Sequence, residues 1–213
     1  MTNILLVDDH ELVRSGLRSI LEGNPKFNVL AEQNSGEAAL EFIQKTTPVP
    51  DVVLMDINMP GIGGIEATRR ITRAFPTIRV IGVTALQEKP FPAQLFQAGA
   101  SGYITKGCDA SEMFRAIDTV MSGQQYLAND VSEKMTLSSL NNDNDNPFAE
   151  LSEREMQVML MVTKGLSNQN ISDSLFLSPK TISTYRHRLF EKLDVSNDVE
   201  LTHLAIRHGI IEQ

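Results

Sequence analysis

The sequence has very little of several features that mark whole classes of protein. It contains a single cysteine, Cys108, which excludes an internal disulfide and fits a reducing compartment, where a buried and unreactive thiol is expected. Its longest purely aliphatic runs are of strand length, far below the roughly 18 residues that span a bilayer. The N-terminus lacks the basic stretch, long apolar segment and cleavage site of a signal peptide. A cytoplasmic protein without a membrane partner is therefore expected.

Positive charge is also scarce. The chain has 19 Lys and Arg against 27 Asp and Glu, a formal net charge of −8, which on average argues against a nucleic-acid partner. The charge is unevenly distributed, however, because residues 180–192 hold four basic residues and only one acidic residue, Glu191. The four are Lys180, Arg186, Arg188 and Lys192. A local basic excess of this kind is what phosphate binding requires.

A length of 213 residues is sufficient for two domains. Residues 1–122 alternate five strand-like and five helical segments, which predicts an α/β domain with a parallel sheet and helices on both faces. A polar run at residues 141–147 marks a linker, which we place at residues 123–147. Residues 148–213 then form a small all-α domain, since no strand pattern is present there.

The all-α segment has the start signals of several short helices. Ser152 and Glu155 form a capping box, residues 168–175 form a short helix, and Ser178 caps a third helix that carries the basic residues. A fourth helix covers residues 199–207. Two short helices joined by a tight turn suit the insertion of the second helix into a major groove. The apolar residues expected to form the core are Ile171, Leu175, Leu177, Ile182, Leu189 and Phe190.

Polar side chains gather at one edge of the predicted sheet. Ligands of parallel α/β sheets bind beyond the carboxyl ends of the strands, where this sequence places Asp8, Asp9, Asp56, Thr84 and Lys106. Each alone is more often a cap, a turn residue or a solvated side chain, but their convergence indicates chemistry. Three carboxylates repel each other unless a cation is bound, and oxygen ligands favour Mg²⁺. Lys106 and Thr84 suit phosphoryl oxygens, and Asp56 is placed as a nucleophile that could accept a phosphoryl group.

The motifs of residues 1–122 resemble the receiver domains of two-component response regulators of the NarL/FixJ subgroup. They are "LLVDDHELVRSGL", "VVLMDINMPGIGGIEATRRI", "VTA" and "GASGYITKG". The resemblance implies a flavodoxin-like receiver with a five-stranded parallel sheet, in which a sensor histidine kinase phosphorylates Asp56. It also implies that Asp8, Asp9, Asp56 and the backbone carbonyl of Asn58 bind Mg²⁺. Thr84 and Tyr103 would then form a switch pair beside Lys106.

The C-terminal motifs "LSEREMQV", "GLSNQNIS" and "LSPKTISTYRHRLFEKL" resemble the LuxR-type helix-turn-helix. That resemblance implies that Ser183, Thr184 and His187 contact bases of double-stranded promoter DNA. Phosphate contact or support is implied for Lys180, Thr181, Tyr185, Arg186, Arg188 and Lys192. Many relatives carry lysine at positions 183 and 187, so their target sequence is not carried over to this chain.

Over its full length, including "DVELTHLAIRHG", the chain is similar to the GacA/UvrY subgroup of these regulators. The similarity implies a hybrid sensor histidine kinase as phosphoryl donor and promoters of small regulatory RNAs as targets. RNA polymerase is a further candidate partner of a transcription regulator. The predicted function is that of a phosphorylation-switched transcription activator, without enzymatic turnover, that is a homodimer when active. Leu201, Leu204 and Ala205 recur on the last helix and predict the dimer contact, with packing into the domain's own core as the alternative.

Three other functions are less consistent with the sequence. A Mg²⁺-dependent phosphatase with an aspartyl-phosphate intermediate would use similar chemistry, but such enzymes usually carry the nucleophile on the first strand in a DxD arrangement. A constitutive DNA-binding protein with a degenerate receiver is disfavoured because the acidic pocket is complete. A dinucleotide-dependent oxidoreductase is excluded because no GxGxxG follows the first strand.

Overall fold

The computed structural model describes residues 1–84, 91–128, 131, 147–175, 177–208 and 210–211. These residues divide into two compact units, the first within residues 1–132 and the second within residues 133–213. Ala85 of the "VTA" motif, Gly209 of the "DVELTHLAIRHG" motif and most of the predicted linker lie outside the described part. None of the helices in the described part is long and apolar enough to cross a membrane.

The first unit is built on a six-stranded sheet in which every neighbouring pair is parallel. The strand order is β2-β1-β3-β4-β5-β6. The strands are β1 (Thr2–Val7), β2 (Phe27–Gln33), β3 (Val52–Asp56), β4 (Arg79–Thr84), β5 (Gly102–Thr105) and β6 (Tyr126–Leu127). The central strands are buried along nearly their whole length, because helices cover both faces of a doubly wound sheet. This confirms the predicted α/β receiver fold.

Five helices cover the two faces of the sheet. They are α1 (Glu11–Glu22), α2 (Gly36–Lys45), α3 (Gly63–Ala74), α4 (Phe91–Gln97) and α5 (Ala110–Met121). Because successive strand residues point to opposite faces, Ile4 and Leu6 pack with α1 and α5 in one buried cluster. Leu5 and Val7 pack with α2 and α3 in a second cluster on the opposite face. The sheet is thus held rigidly between two cores.

The sixth strand corrects the five-strand expectation. Tyr126 pairs with Gly102, and Leu127 pairs with Tyr103, while the Ala128 N–H donates to the Tyr103 carbonyl at 3.1 Å. No sequence pattern marks β6, since a two-residue strand is too short to show an alternating pattern. The segment predicted as linker from residue 123 therefore begins with part of the receiver sheet.

The described residues of the second unit form four helices after a short 3₁₀ turn (Pro147–Glu150). The helices are α6 (Glu153–Thr163), α7 (Asn168–Leu175), α8 (Pro179–Leu193) and α9 (Asp198–Arg207). The Ser152–Glu155 capping box is present, and the Ser178 side chain accepts from the Thr181 N–H at the start of α8. Sequence signals of helix starts were therefore accurate to one residue here.

The core of the second unit contains most of the predicted apolar residues. Ile171, Leu175, Ile182 and Leu189 are buried, whereas Leu177 and Phe190 are half-buried. Leu201 and Ala205 of α9 are also fully buried, because α9 packs against α6 of the same domain. Core packing therefore accounts for these two residues, and they are not available for the dimer contact that their spacing suggested.

Candidate functional site

The predicted polar residues meet at the carboxyl edge of the receiver sheet. Asp8 directly follows β1, Asp56 ends β3 and Thr84 ends β4. Strands β1 and β3 are neighbours, with Val7 opposite Met55, so the residues that follow them are brought side by side. Parallel strands all deliver their ends to one edge, which is why residues far apart in sequence form one pocket.

Lys106 connects the two buried carboxylates of this pocket. Its Nζ lies 2.7 Å from Asp8 Oδ2 and 2.9 Å from Asp56 Oδ2. The side chains of Asp8 and Asp56 are only 2% and 3% exposed. One cation therefore faces two buried anions, and Asp9 adds a third carboxylate beside them. The pocket has an excess of negative charge, which a divalent cation would neutralise.

The proton affinities of the pocket follow from burial and charge. Burial raises the pKa of the Asp56 carboxyl, against the opposing attraction of Lys106 and with a further increase from the Asp8 charge. Burial would lower the pKa of Lys106, but its contacts with Asp8 and Asp56 outweigh this and raise it. Lys106 therefore stays protonated, and its charge is available to a phosphoryl oxygen.

The donor set of this edge fits a hard divalent ion. Ligand atoms of Asp8, Asp9, His10 and Asp56 all lie within 4.8 Å of one another. Within the described part of the chain, the buried Asp9 Oδ1 accepts no hydrogen bond, although His10 Nδ1 lies 2.9 Å away. An unsatisfied buried acceptor is costly unless an ion or water satisfies it. The Asn58 N–H donates to Asp56 Oδ1 at 3.3 Å, so Asn58 adjoins the pocket. Its carbonyl as a metal ligand stays a prediction.

The predicted switch residues both lie inside the sheet. Thr84 ends β4 and is 1% exposed, and Tyr103 of β5 is fully buried. Their strands are neighbours, with Gly82 opposite Tyr103 and Thr84 opposite Thr105. The Tyr103 carbonyl is also held by the Ala128 N–H, so this tyrosine is tied to β6. Their roles as a switch pair stay a prediction.

Two residues that the sequence did not single out hold the loop after β3. A Cβ at Gly64 would lie 1.9 Å from the backbone oxygen of Asp56, and the Gly64 N–H donates to the Ile57 carbonyl at 3.0 Å. Glu37 accepts from the Ile62 N–H at 2.8 Å. Glycine is required at position 64 because the backbone of Asp56 passes too close for a side chain. The tight turn in "MPGIGG" was the available signal.

In the helix-turn-helix, α8 presents most of the predicted DNA contacts to solvent. The exposed members are Lys180, Ser183, Thr184, His187, Arg188 and Lys192. Thr181 and Tyr185 are half-buried, and Thr181 takes part in the Ser178 cap. Ser183 Oγ lies 3.1 Å from the Asn168 amide nitrogen of α7, so α7 supports the outer face of α8.

Arg186 is bound within the domain. Its guanidinium donates to both carboxylate oxygens of Asp198 and, at 2.9 Å, to the side-chain oxygen of Asn168. It thereby joins α8 to the first residues of α7 and α9. Charge-assisted hydrogen bonds between a guanidinium and a carboxylate are among the stronger side-chain contacts. The structure thus favours support over phosphate contact for Arg186.

Lys192 has a similar internal partner. Its Nζ lies 2.8 Å from Glu155 Oε2 and 3.1 Å from the Glu150 carbonyl oxygen. Burial opposes ionisation of Glu155, but the bonds from Lys192 and Ser152 lower the pKa of its carboxyl below the usual range. Lys180 and Arg188 remain as the exposed cations of α8 without an internal ion pair among the described residues.

Two family profiles match the chain. One, described as "Response regulator receiver domain", covers residues 4–118, and the other, "Bacterial regulatory proteins, luxR family", covers residues 149–205. The chain is 52% identical over 211 residues to "Response regulator UvrY" of Escherichia coli strain K12, covering 99% of this chain and 96% of that protein. It is 48% identical over 212 residues to "Response regulator GacA" of Pseudomonas protegens, covering 100% and 99%.

The fold also has a counterpart bound to DNA. The structure of RcsB from Salmonella enterica serovar Typhimurium was solved bound to the promoter rprA in the presence of the phosphomimetic BeF₃⁻. The present chain superposes on it with a TM-score of 0.69 at 25% identity, and the match covers 95% of this chain and 97% of that one. Both parts of the molecule therefore have known relatives, and these relatives match the two segments in which the sequence motifs were found.

Proposed function

The chain belongs to the response regulators that combine a receiver domain with a luxR-type DNA-binding domain, and from this membership we propose that Asp56 is the phosphoryl acceptor that controls DNA binding by α8. Response regulators of this kind act on transcription, which confirms the predicted class of function. The receiver would comprise residues 1–122 together with β6, and the DNA-binding domain residues 148–213.

The observation that carries this proposal is the pairing of Lys106 with two buried carboxylates at the carboxyl edge. An Asp56 oxygen attacks the phosphorus of a phosphohistidine, the P–N bond breaks, and the histidine nitrogen leaves with the bonding pair. Lys106 then turns from the carboxylates to a phosphoryl oxygen, and the Thr84 hydroxyl donates to another. Asp8, Asp9, Asp56 and the Asn58 carbonyl would hold Mg²⁺, which would neutralise negative charge in the pocket.

This chemistry is a single transfer rather than enzymatic turnover. The acceptor carboxylate becomes the acyl phosphate, and the product remains attached to the regulator. Tyr103, on the strand beside Thr84, reports the change to the surface of β5 and its flanking helices. A phosphatase with the same intermediate would release phosphate continuously, so stoichiometric labelling separates the two functions.

For DNA recognition, we assign base contacts to Ser183, Thr184 and His187 and phosphate contacts to Lys180 and Arg188. All five are exposed on α8. The four other residues of the predicted set serve mainly to hold α8 in place. They are Thr181, Tyr185, Arg186 and Lys192. Base contacts select the sequence, whereas phosphate contacts set the affinity for all sequences.

The partners follow from these roles. Two-fold dimers of helix-turn-helix proteins bind two half-sites, so the phosphorylated chain acts on promoter DNA as a homodimer. A hybrid sensor histidine kinase supplies the phosphoryl group. The DNA-bound regulator, as an activator, contacts RNA polymerase. The protein works in the cytoplasm, where the bacterial chromosome lies.

Phosphorylation of the full chain by a small phosphodonor, acetyl phosphate, tests the acceptor. The wild type should take up one phosphoryl group in the presence of Mg²⁺ and none after chelation. Asp56→Asn should take up none, whereas Asp118→Asn, which changes an exposed carboxylate, should label normally. Labelling that persists in Asp56→Asn would remove Asp56 from the mechanism.

Selection of binding sites from random DNA tests the assignment of His187. His187→Ala should change the preferred bases, because an exposed imidazole on α8 would read base edges. His203→Ala, on the exposed face of α9, is the matched control. Unchanged base preferences in His187→Ala would show that this side chain does not read the sequence.

A further inference from the structure

His10 lies beside the acidic pocket, where its ring Nδ1 forms a hydrogen bond with Asp8 Oδ1 at 3.3 Å. It occupies the N-cap position of α1, yet its side chain makes no capping hydrogen bond, which is unusual because N-cap side chains normally accept from the first turn. The backbone N–H of His10 donates to Asp8 Oδ1 at 2.8 Å. The ring is 65% exposed and can turn without disturbing a core.

The imidazole nitrogen lies among the carboxylates at the spacing of ligands around one ion. His10 Nδ1 is 2.9 Å from Asp9 Oδ1 and 3.3 Å from Asp8 Oδ1. Although the first of these distances is short, the buried Asp9 Oδ1 accepts no hydrogen bond among the described residues. Nitrogen and oxygen ligands at about 2.1 Å from a shared ion stand roughly 3.0 to 3.4 Å apart at octahedral or tetrahedral angles. The two atoms are therefore positioned as neighbouring ligands.

A nitrogen donor alters which ion the pocket prefers. Mg²⁺ takes oxygen ligands and loses its water reluctantly, so an imidazole adds little to its binding. Imidazole is a favoured ligand of first-row transition ions such as Co²⁺, Ni²⁺ and Zn²⁺. Lys106 contacts the Oδ2 atoms of Asp8 and Asp56. The His10 ring instead lies beside the Oδ1 atom of Asp8. Lys106 and His10 thus need not compete for one position.

We propose that His10 supplies a nitrogen ligand to a divalent transition ion held by Asp8, Asp9 and Asp56, and so determines how strongly the pocket selects such ions over Mg²⁺. This inference rests on the proposed metal site of the receiver and extends it. A transition ion bound through four side chains would occupy the place of Mg²⁺ and make the receiver sensitive to the supply of such ions.

Calorimetric titration of the full chain with Co²⁺ and, separately, with Mg²⁺ tests the proposal. Loss of an outer-shell partner alone costs about 10- to 100-fold in metal affinity, so His10→Asn should weaken Co²⁺ binding at least tenfold. Its Mg²⁺ dissociation constant should stay within about twofold, because Mg²⁺ gains little from nitrogen. His203→Asn is the matched control and should leave both constants unchanged. The visible absorption bands of bound Co²⁺ should shift in His10→Asn alone.

The outcomes distinguish the inference from the site on which it rests. If the wild type binds neither ion, the metal site and the role of His10 both fail. If Mg²⁺ binds but His10→Asn leaves the Co²⁺ constant and absorption unchanged, the receiver site stands and the role of His10 is refuted. An equal loss of Mg²⁺ and Co²⁺ affinity would also refute it, since it would show a change in the pocket rather than a lost nitrogen ligand.

Discussion

Arg186 and Arg188 stand two residues apart on α8, and the structure predicts opposite consequences for their loss. Arg186 donates to Asp198 and Asn168 inside the domain, whereas Arg188 is exposed. Replacement of each by methionine removes the charge and keeps a long apolar side chain. Arg186→Met should therefore lower the stability of the DNA-binding domain, and Arg188→Met should lower its affinity for DNA phosphates.

The expected loss in Arg186→Met can be worked from its contacts. A hydrogen bond to a charged group contributes about 1.5 to 3 kcal/mol, and exposed ion pairs contribute about 0.2 to 1 kcal/mol. The side chains of Arg186 and Asp198 are 20% and 46% exposed, which places the pair in the lower part of the range for charged hydrogen bonds. A loss of about 2 kcal/mol corresponds to a decrease in melting temperature of roughly 8 to 16 °C for a domain of this size.

The salt dependence of DNA binding supplies the second measurement. Each phosphate contact contributes about 0.9 to the slope of log K against log salt concentration. Arg188→Met should reduce the magnitude of this slope by about 0.9 and leave the melting temperature unchanged. Arg186→Met, measured at a temperature where the domain remains folded, should keep the wild-type slope.

One pair of results would refute the assignment. If Arg186→Met lowers the slope by about 0.9 and leaves the melting temperature unchanged, Arg186 contacts phosphate and its bonds to Asp198 do not stabilise the domain. Asp198→Asn gives an independent check, because removal of the negative charge and of one acceptor oxygen should destabilise the domain. The double variant should cost little more than either single change.

Three further predictions concern packing and protonation. Gly64→Ala should destabilise the receiver by about 3 kcal/mol or more and reduce phosphorylation, because a Cβ at position 64 would meet the Asp56 backbone oxygen. A Cβ at Gly16 would have nothing within 4 Å, so the control Gly16→Ala should stabilise α1 by about 0.5 to 1 kcal/mol. Equal effects of the two changes in urea unfolding would contradict this prediction. Burial raises the pKa of Asp56, so the folded receiver binds this proton more tightly than the unfolded chain does. In EDTA, the stability of the receiver should therefore fall as the pH rises above the ordinary aspartate range. Asp56→Asn should lose this pH dependence and be more stable than the wild type at neutral pH, and a less stable variant would contradict the prediction. The bond to Lys192 lowers the pKa of Glu155 despite its burial. The contribution of Glu155 to stability should therefore be present at neutral pH and be lost as the pH falls through the glutamate range. Thermal unfolding between neutral and acidic pH should show this loss in the wild type but not in Glu155→Gln.

Much of this protein was determined locally in the sequence. The alternation of apolar strands with helical segments predicted the α/β receiver, because a buried parallel sheet requires continuous apolar runs between its covering helices. Helix starts at Ser152 and Ser178 were predicted because a cap depends only on residues within one turn. The acidic edge was likewise predicted, since strand ends of a parallel sheet converge at one side.

Other features were decided only by the tertiary structure. β6 exists because Tyr126 and Leu127 find the free edge of β5, and nothing local marks two residues as a strand. Arg186 belongs to a basic stripe in the sequence, but its partner Asp198 arrives from a separate helix, so its role depends on the packing of α9. Leu201 is buried for the same reason. The sequence alone determines which side chains can ionise or bond, whereas only the fold brings their partners within a few ångströms, the distance at which hydrogen bonds and ion pairs acquire their energy.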